Sequence, residues 1–118
     1  MKFDQTPEFQ KELKKLTKSW RSLPQDLAKL QKVLPYLYVK AGAEHFRKVF
    51  FGNKKAAVLQ TLSASKQVVK IRLDCQSLGN KDLLRVTYIR SEGSILFVEL
   101  YAKNQKPCED ASRIKRHL

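Results

Sequence analysis

The sequence predicts an α+β domain: an N-terminal helical hairpin packed on a small antiparallel sheet, with a C-terminal helix after it. Two observations carry this. Apolar residues recur at helical spacing early in the chain, at Phe9, Leu13, Leu16 and Trp20 and again at Leu23, Leu27, Leu30 and Leu34. Beyond residue 67 the period falls to two, in VVKIRL (68–73), LLRVTYIR (83–90) and ILFVELYAK (95–103). Helices followed by a run of strands is the order of α+β folds, not of alternating parallel ones. A length of 118 residues suits one domain with a real core and is too short for two, so a single domain is expected over 1–118.

Each element has a local reason. MKF at the start suits a short first strand. Thr6-Pro7 then supplies an N-cap and a proline at the first helical position. In that helix Lys11, Lys14, Lys15 and Lys18 fall on faces away from the apolar stripe. Ser22 followed by Gln25 reads as a capping box for the second helix, and Pro35 is expected to end it. The link between the helices is short enough to make them an antiparallel hairpin. Residues 36–66 form a long insert. Within it AGAEHFRKVFFGN suggests a short helix stopped at Gly52-Asn53 with Phe46, Val49 and Phe50 inward, and AAVLQTLSAS is either a loop or an irregular strand. Turn signals at Ser77–Asn80 and Ser91–Ser94 separate the three strands. In the tail, Ala111, Ile114 and Leu118 share a helical face, with acids early and Lys-Arg-His late, as the helix dipole prefers.

Charge narrows the function. Lysine and arginine number 24 against 11 acids, a net charge of +13, which favours nucleic acid, an anionic membrane or an acidic protein. Residues 36–65 hold Lys40, Arg47, Lys48, Lys54 and Lys55 against Glu44. No block of consecutive cations reads as a disordered tail, so the charge is expected on folded structure. Strict alternation places Val69, Ile71, Leu73, Leu84, Val86, Tyr88, Leu96, Val98 and Leu100 on an apolar face. It gathers Lys70, Arg72, Arg85, Tyr101 and Lys103 on the other. That polar face is a candidate seat for a polyanion. With no leader-like apolar region, membrane-spanning run or lipidation signal, a cytoplasmic protein without a membrane partner is expected. Cys75 and Cys108 lack metal or redox spacing and read as reduced thiols rather than a disulfide. His45 and His117 stand apart, so neither a metal site nor a cofactor is expected.

The words KIRL, LRVTY and ILFVELYAK, in this order after a helical hairpin, resemble the RelE/ParE superfamily of bacterial toxins, which includes RelE and HigB. The resemblance covers most of the chain and is strongest from Val68 to Leu118. It implies a RelE-like fold, a toxin that cleaves messenger RNA in the ribosomal decoding site, and neutralisation by a co-encoded acidic antitoxin. It places the family's basic strand residues on Lys70 and Arg72. The arginine before the hydrophobic-x-Tyr falls on Arg85, and the closing lysine on Lys103. Two positions depart: Asn104 stands where RelE has an arginine, and Asp110 where RelE has a tyrosine. The general acid is therefore left unassigned.

Cleavage by the 2′-hydroxyl requires that the hydroxyl be deprotonated, charge on the phosphate stabilised and the leaving 5′-oxygen protonated. Arg85 suits the second task because a guanidinium grips two phosphate oxygens and keeps its proton, with Arg72 a second candidate. Lys70, crowded by cations, is expected to have a depressed pKa and to position or deprotonate. Tyr101 would donate a hydrogen bond or a proton, or stack on a base, and Lys103 would hold the backbone. Lys54, Lys55 and Lys66 are expected to bind RNA outside the reacting centre. The plainer reading is a solvated basic strand face, with Tyr101 covering a sheet edge and His117 a helix-end cation. Two other functions remain open: a ParE-like inhibitor of DNA gyrase, and an RNA-binding module without catalysis, for which Asn104 and Asp110 are the best support.

Overall fold

The computed structural model describes residues 1–38, 48, 51–52, 55–79 and 81–118. The chain forms β1 (Lys2–Gln5), α1 (Pro7–Thr17), α2 (Leu23–Tyr38), β2 (Ala56–Thr61), β3 (Gln67–Leu73), a 3₁₀ turn (Gln76–Leu78), β4 (Leu84–Ser91), β5 (Ser94–Ala102) and α3 (Ala111–Lys115). One five-stranded sheet has the order β1-β5-β4-β3-β2. Strands β2 to β5 pair antiparallel, whereas β1 runs parallel to β5. The expected small antiparallel sheet is therefore corrected to a larger, mixed one. Alternation reports which face a residue takes and nothing about strand direction. Direction is fixed at Thr6, whose N–H donates to the Phe97 carbonyl (3.0 Å) and whose hydroxyl donates to that of Val98 (3.3 Å). The second edge strand comes from AAVLQT, the stretch whose irregular pattern left strand and loop equally open.

The Thr6 hydroxyl also accepts from Phe9 N (3.1 Å), which caps α1 as its sequence predicts. Phe9 and Leu16 are buried, with Leu13 and Trp20 packed against the same core. Two expectations for α2 change. Pro35 lies inside the helix rather than ending it. A proline costs one helical hydrogen bond, and the neighbouring Leu34 and Leu37, both buried, hold the helix on the sheet through that turn. Tyr38 adds a bond between its hydroxyl and that of Tyr88 (2.6 Å). Ser22 does not form a capping box with Gln25. Its hydroxyl donates to Asp26 (2.7 Å) and accepts from Ser77 N (2.8 Å), tying the start of α2 to the 3₁₀ turn.

Helices α1 and α2 cover one face of the sheet, over Val69, Ile71, Leu84, Val86, Tyr88, Ile95, Phe97 and Leu100. A smaller cluster of Val68, Ile89, Val98 and Ile114 lies on the opposite face under α3. Strict alternation fails in β5. Thr87 pairs with Glu99 but Tyr88 pairs with Phe97, so Val98 is an extra residue in a β-bulge. Ile95, Phe97 and Leu100 consequently face the helices, whereas Leu96, Val98, Glu99 and Tyr101 face away. Leu96 and Val98 are thus removed from the apolar face on which alternation put them. A second bulge falls at Leu59 in β2.

Of the helix expected around residues 41–53, Lys48, Phe51 and Gly52 have helical backbone. Phe46, Val49, Phe50 and Asn53 lie outside the described residues, as do Lys40, Arg47 and Lys54. Among the described residues no helix is long and apolar enough to cross a membrane. Both cysteines are free thiols, Cys75 buried and Cys108 exposed.

Candidate nucleic-acid groove

Backbone register assembles the site. Arg72 on β3 lies opposite Arg85 on β4, which lies opposite Tyr101 on β5, making one row across the sheet. Lys70 stands two residues from Arg72 on the same face, in the neighbouring row with Thr87 and Glu99. Lys103 follows β5, with its N–H bonded to the Leu83 carbonyl (2.7 Å). Lys70, Arg72, Arg85, Tyr101 and Lys103, together with Lys55, line an open groove of about 550 Å³ bordered by Phe51, Ala57 and Pro107. All five residues proposed for chemistry, Lys70, Arg72, Arg85, Tyr101 and Lys103, are therefore brought together. Of those proposed for RNA binding, Lys55 joins them. Lys66 does not: it sits in the β2–β3 turn and donates to the Leu118 carbonyl (3.3 Å). Lys54 lies outside the described residues.

The polar face is not the open basic surface that alternation suggests. Arg85 is only 7% exposed, and its Nη1 donates to Asp82 (2.9 Å) and to the Leu84 carbonyl (3.1 Å). The same Asp82 carboxylate stands 3.4 Å from Arg72. Lys70 pairs with Glu109 (3.0 Å) and Lys55 with Asp74 (2.5 Å). The closest charge to Lys70 is thus an opposite one, not the crowd of cations expected around it. Lys103 is exposed and makes no ion pair among the described residues. Asp82 and Glu109 were absent from the sequence-predicted site. Asp82 is legible three residues before Arg85, but Glu109 reaches Lys70 from 39 positions away.

The middle of this face is closed by the segment after β5. Glu99, wholly buried, accepts from the Asp110 N–H (2.9 Å) and from Lys106. Asp110 caps α3 by accepting from Arg113 N (3.1 Å). Arg113 is buried in turn, reaching Glu12 on α1 with two nitrogens (2.7 and 2.9 Å) and donating to the Val98 carbonyl. Bonding to Glu12 pushes the Arg113 pKa up, against the effect of burial. Burial works against ionisation of Glu109 as well, but a backbone N–H and the Lys70 ammonium outweigh it and hold the carboxyl below its usual range. No family model, curated protein or solved structure matches this chain.

Tyr101 is pushed up to about 12, first by burial and then by the Glu109 and Glu99 carboxylates, with Arg85 opposing. Tyr88 is also raised, by burial first and then by Tyr38. A raised folded pKa contributes stability that is complete below the unfolded value, about 10 for tyrosine, and is lost as pH climbs through the folded value. The denaturation midpoint should therefore fall steadily above pH about 10. Tyrosinate absorbance should lag in the folded protein and appear together with unfolding. A midpoint that is flat to pH 12 would contradict the burial of these phenols.

Asp82 holds the position between two guanidiniums that a phosphate oxygen would take. Asp82→Asn should raise affinity for single-stranded RNA by about fivefold, roughly 1 kcal/mol, the scale of a half-exposed ion pair. Fluorescence anisotropy with a labelled oligonucleotide measures it. Unchanged or weaker binding would mean that the two arginines do not contact the strand.

Proposed function

We propose that this protein is an RNA endonuclease of the RelE type: the toxin of a toxin–antitoxin pair, acting on translated messenger RNA at the ribosome and restrained by an acidic antitoxin. The observation that supports it is the convergence of Lys70, Arg72, Arg85 and Lys103 with Tyr101 on one open groove. In this scheme Arg85 and Arg72 bind the scissile phosphate, and Lys103 holds a neighbouring one. The 2′-oxygen attacks phosphorus, giving a 2′,3′-cyclic phosphate as the bond to the 5′-oxygen breaks. In the same scheme Tyr101 protonates that leaving oxygen. A phenol at about 12 is a weak acid, yet a stronger one than the alcohol being released. Lys70 is the base the arrangement offers, and it takes the 2′-hydroxyl proton only as the neutral amine. Attack by the 2′-hydroxyl does not itself call for a metal or cofactor.

One observation favours a second reading, binding without cleavage. Among the described residues no histidine or carboxylate lines the groove, and its Lys70 is held in an ion pair by Glu109. Brief induction in a bacterium, followed by mapping of RNA ends, separates the readings. New 5′ ends inside translated messages support the nuclease. Growth arrest with intact messages and blocked DNA supercoiling points instead to a gyrase inhibitor. RNA binding by the purified protein with no cleavage, even on ribosomes, supports the binding module. In that binding assay each phosphate contact adds roughly 0.7 to the log–log salt slope, so Lys55→Ala should lower the slope by one such step.

A further inference from the structure

The groove has a neighbour. A second cleft of about 580 Å³ lies between α2 and the end of β3, lined by Asp26, Lys29, Leu30, Val33, Asp74 and Gln76 among others. Lys55 and Arg72 line both hollows, so the two share a wall of cations. Their chemistry differs. The polar side chains of the groove are cations and a phenol, which suits phosphate. The second cleft combines the apolar Leu30 and Val33 with two carboxylates, Asp26 and the Lys55-paired Asp74, and with Lys29, which is exposed and makes no ion pair among the described residues.

Asp26 is the informative residue. It is 4% exposed and meets no cation within ion-pair distance among the described residues. Its partners are the Ser22 hydroxyl (2.7 Å) and a long contact from Gln76 N (3.3 and 3.4 Å to its two oxygens). An ionised carboxylate has about four acceptor sites, so capacity remains for a donor arriving from the cleft. An apolar wall, a buried acceptor and a cation at the mouth suit a base and its phosphate.

We propose that a bound RNA strand continues past Arg72 into this second cleft, which takes the adjoining nucleotide and selects a base carrying an exocyclic amine through Asp26. This rests on the groove being an RNA site, and it adds a subsite and a preference to it. Lys29 would meet the phosphate of that nucleotide, and Leu30 with Val33 would pack on the base. Uracil, which has no amine, is the disfavoured occupant.

Equilibrium binding of the purified protein to adenine and uracil oligomers, two and four nucleotides long, tests this. The adenine tetramer should bind about tenfold more tightly than the uracil tetramer, the scale of one well-placed base contact. Lys29→Glu should weaken the adenine tetramer about tenfold, by reversing one phosphate contact, and leave the dimers unchanged. Lys14→Glu, the same charge change on the exposed side of α1, should have little effect. Asp26→Ala, which removes the acceptor altogether, should erase the adenine preference, with thermal unfolding checked because the residue is buried. Equal binding of both tetramers, or equal effects of Lys29→Glu and Lys14→Glu, would overturn the second cleft. If Lys103→Ala weakens binding while Lys29→Glu does not, the groove survives and the second cleft falls. Absence of any oligonucleotide binding by the unaltered protein would overturn both.

Discussion

An Arg85→Met variant is expected to cleave RNA about 10²–10³-fold more slowly than the unaltered protein while remaining folded, the usual cost of losing one donor aimed at developing charge. Arg85 sits in the middle of the Arg72–Arg85–Tyr101 row. Methionine is the appropriate replacement because the arginine stem is buried and alanine would add a cavity to the lost charge. Asp82 does not become an isolated buried charge, since it is half-exposed and still pairs with Arg72. The effect should appear in single-turnover cleavage at saturating RNA, with thermal unfolding little changed. Arg85→Lys should fall between the two, because it keeps the charge and loses the planar fork. Cleavage by Arg85→Met at the unaltered rate would remove Arg85 from the chemistry and leave the groove a binding surface.

Arg113→Met should have the largest effect on stability, a loss of about 3–5 kcal/mol, as expected when one member of a buried charge network is removed. Arg113 joins three elements: Glu12 on α1, the Val98 carbonyl at the bulge of β5, and its own helix α3, with Glu99 4.0 Å away. Without it Glu99 keeps Lys106 and the Asp110 N–H but sits wholly buried with less compensating charge. Arg116 provides the contrast. It is largely exposed and pairs with Glu8 at 3.6 Å, so Arg116→Ala should cost about 0–1 kcal/mol. Urea midpoints measure both. Equal losses in the two variants would show that the buried network contributes no more than a surface pair.

The two networks differ in how far they could be read from the chain. That Lys70 and Arg72 share a face, and that Arg85 lies on the same side, follows from KIRL and LRVTY, because alternation is a property of extended backbone at each residue. The α1 cap followed for the same reason, since a threonine hydroxyl three residues from Phe9 N needs nothing from the rest of the fold. Tyr101 reached the polar face only because the bulge at Val98 and the strict-alternation assumption agree at that position. They disagree at Leu96 and Val98, where a hydrogen-bond slip against β4 decides. The pairing of β1 alongside β5 depends on residues more than ninety positions apart, as the Thr6–Val98 bond shows. Pro35 stays helical because tertiary packing of Leu34 and Leu37 outweighs a local preference. The partners of Arg72 and Lys70 were hidden, since Asp82 and Glu109 meet them only after the strands and the C-terminal segment have come together. Sequence by itself determined which side chains face which way in the unbulged strands β3 and β4, since there local sterics of extended backbone set it. Strand direction, register slips and the partners of Lys70 and Arg72 were left to the tertiary structure, because they depend on contacts between segments whose separation along the chain carries no local signal.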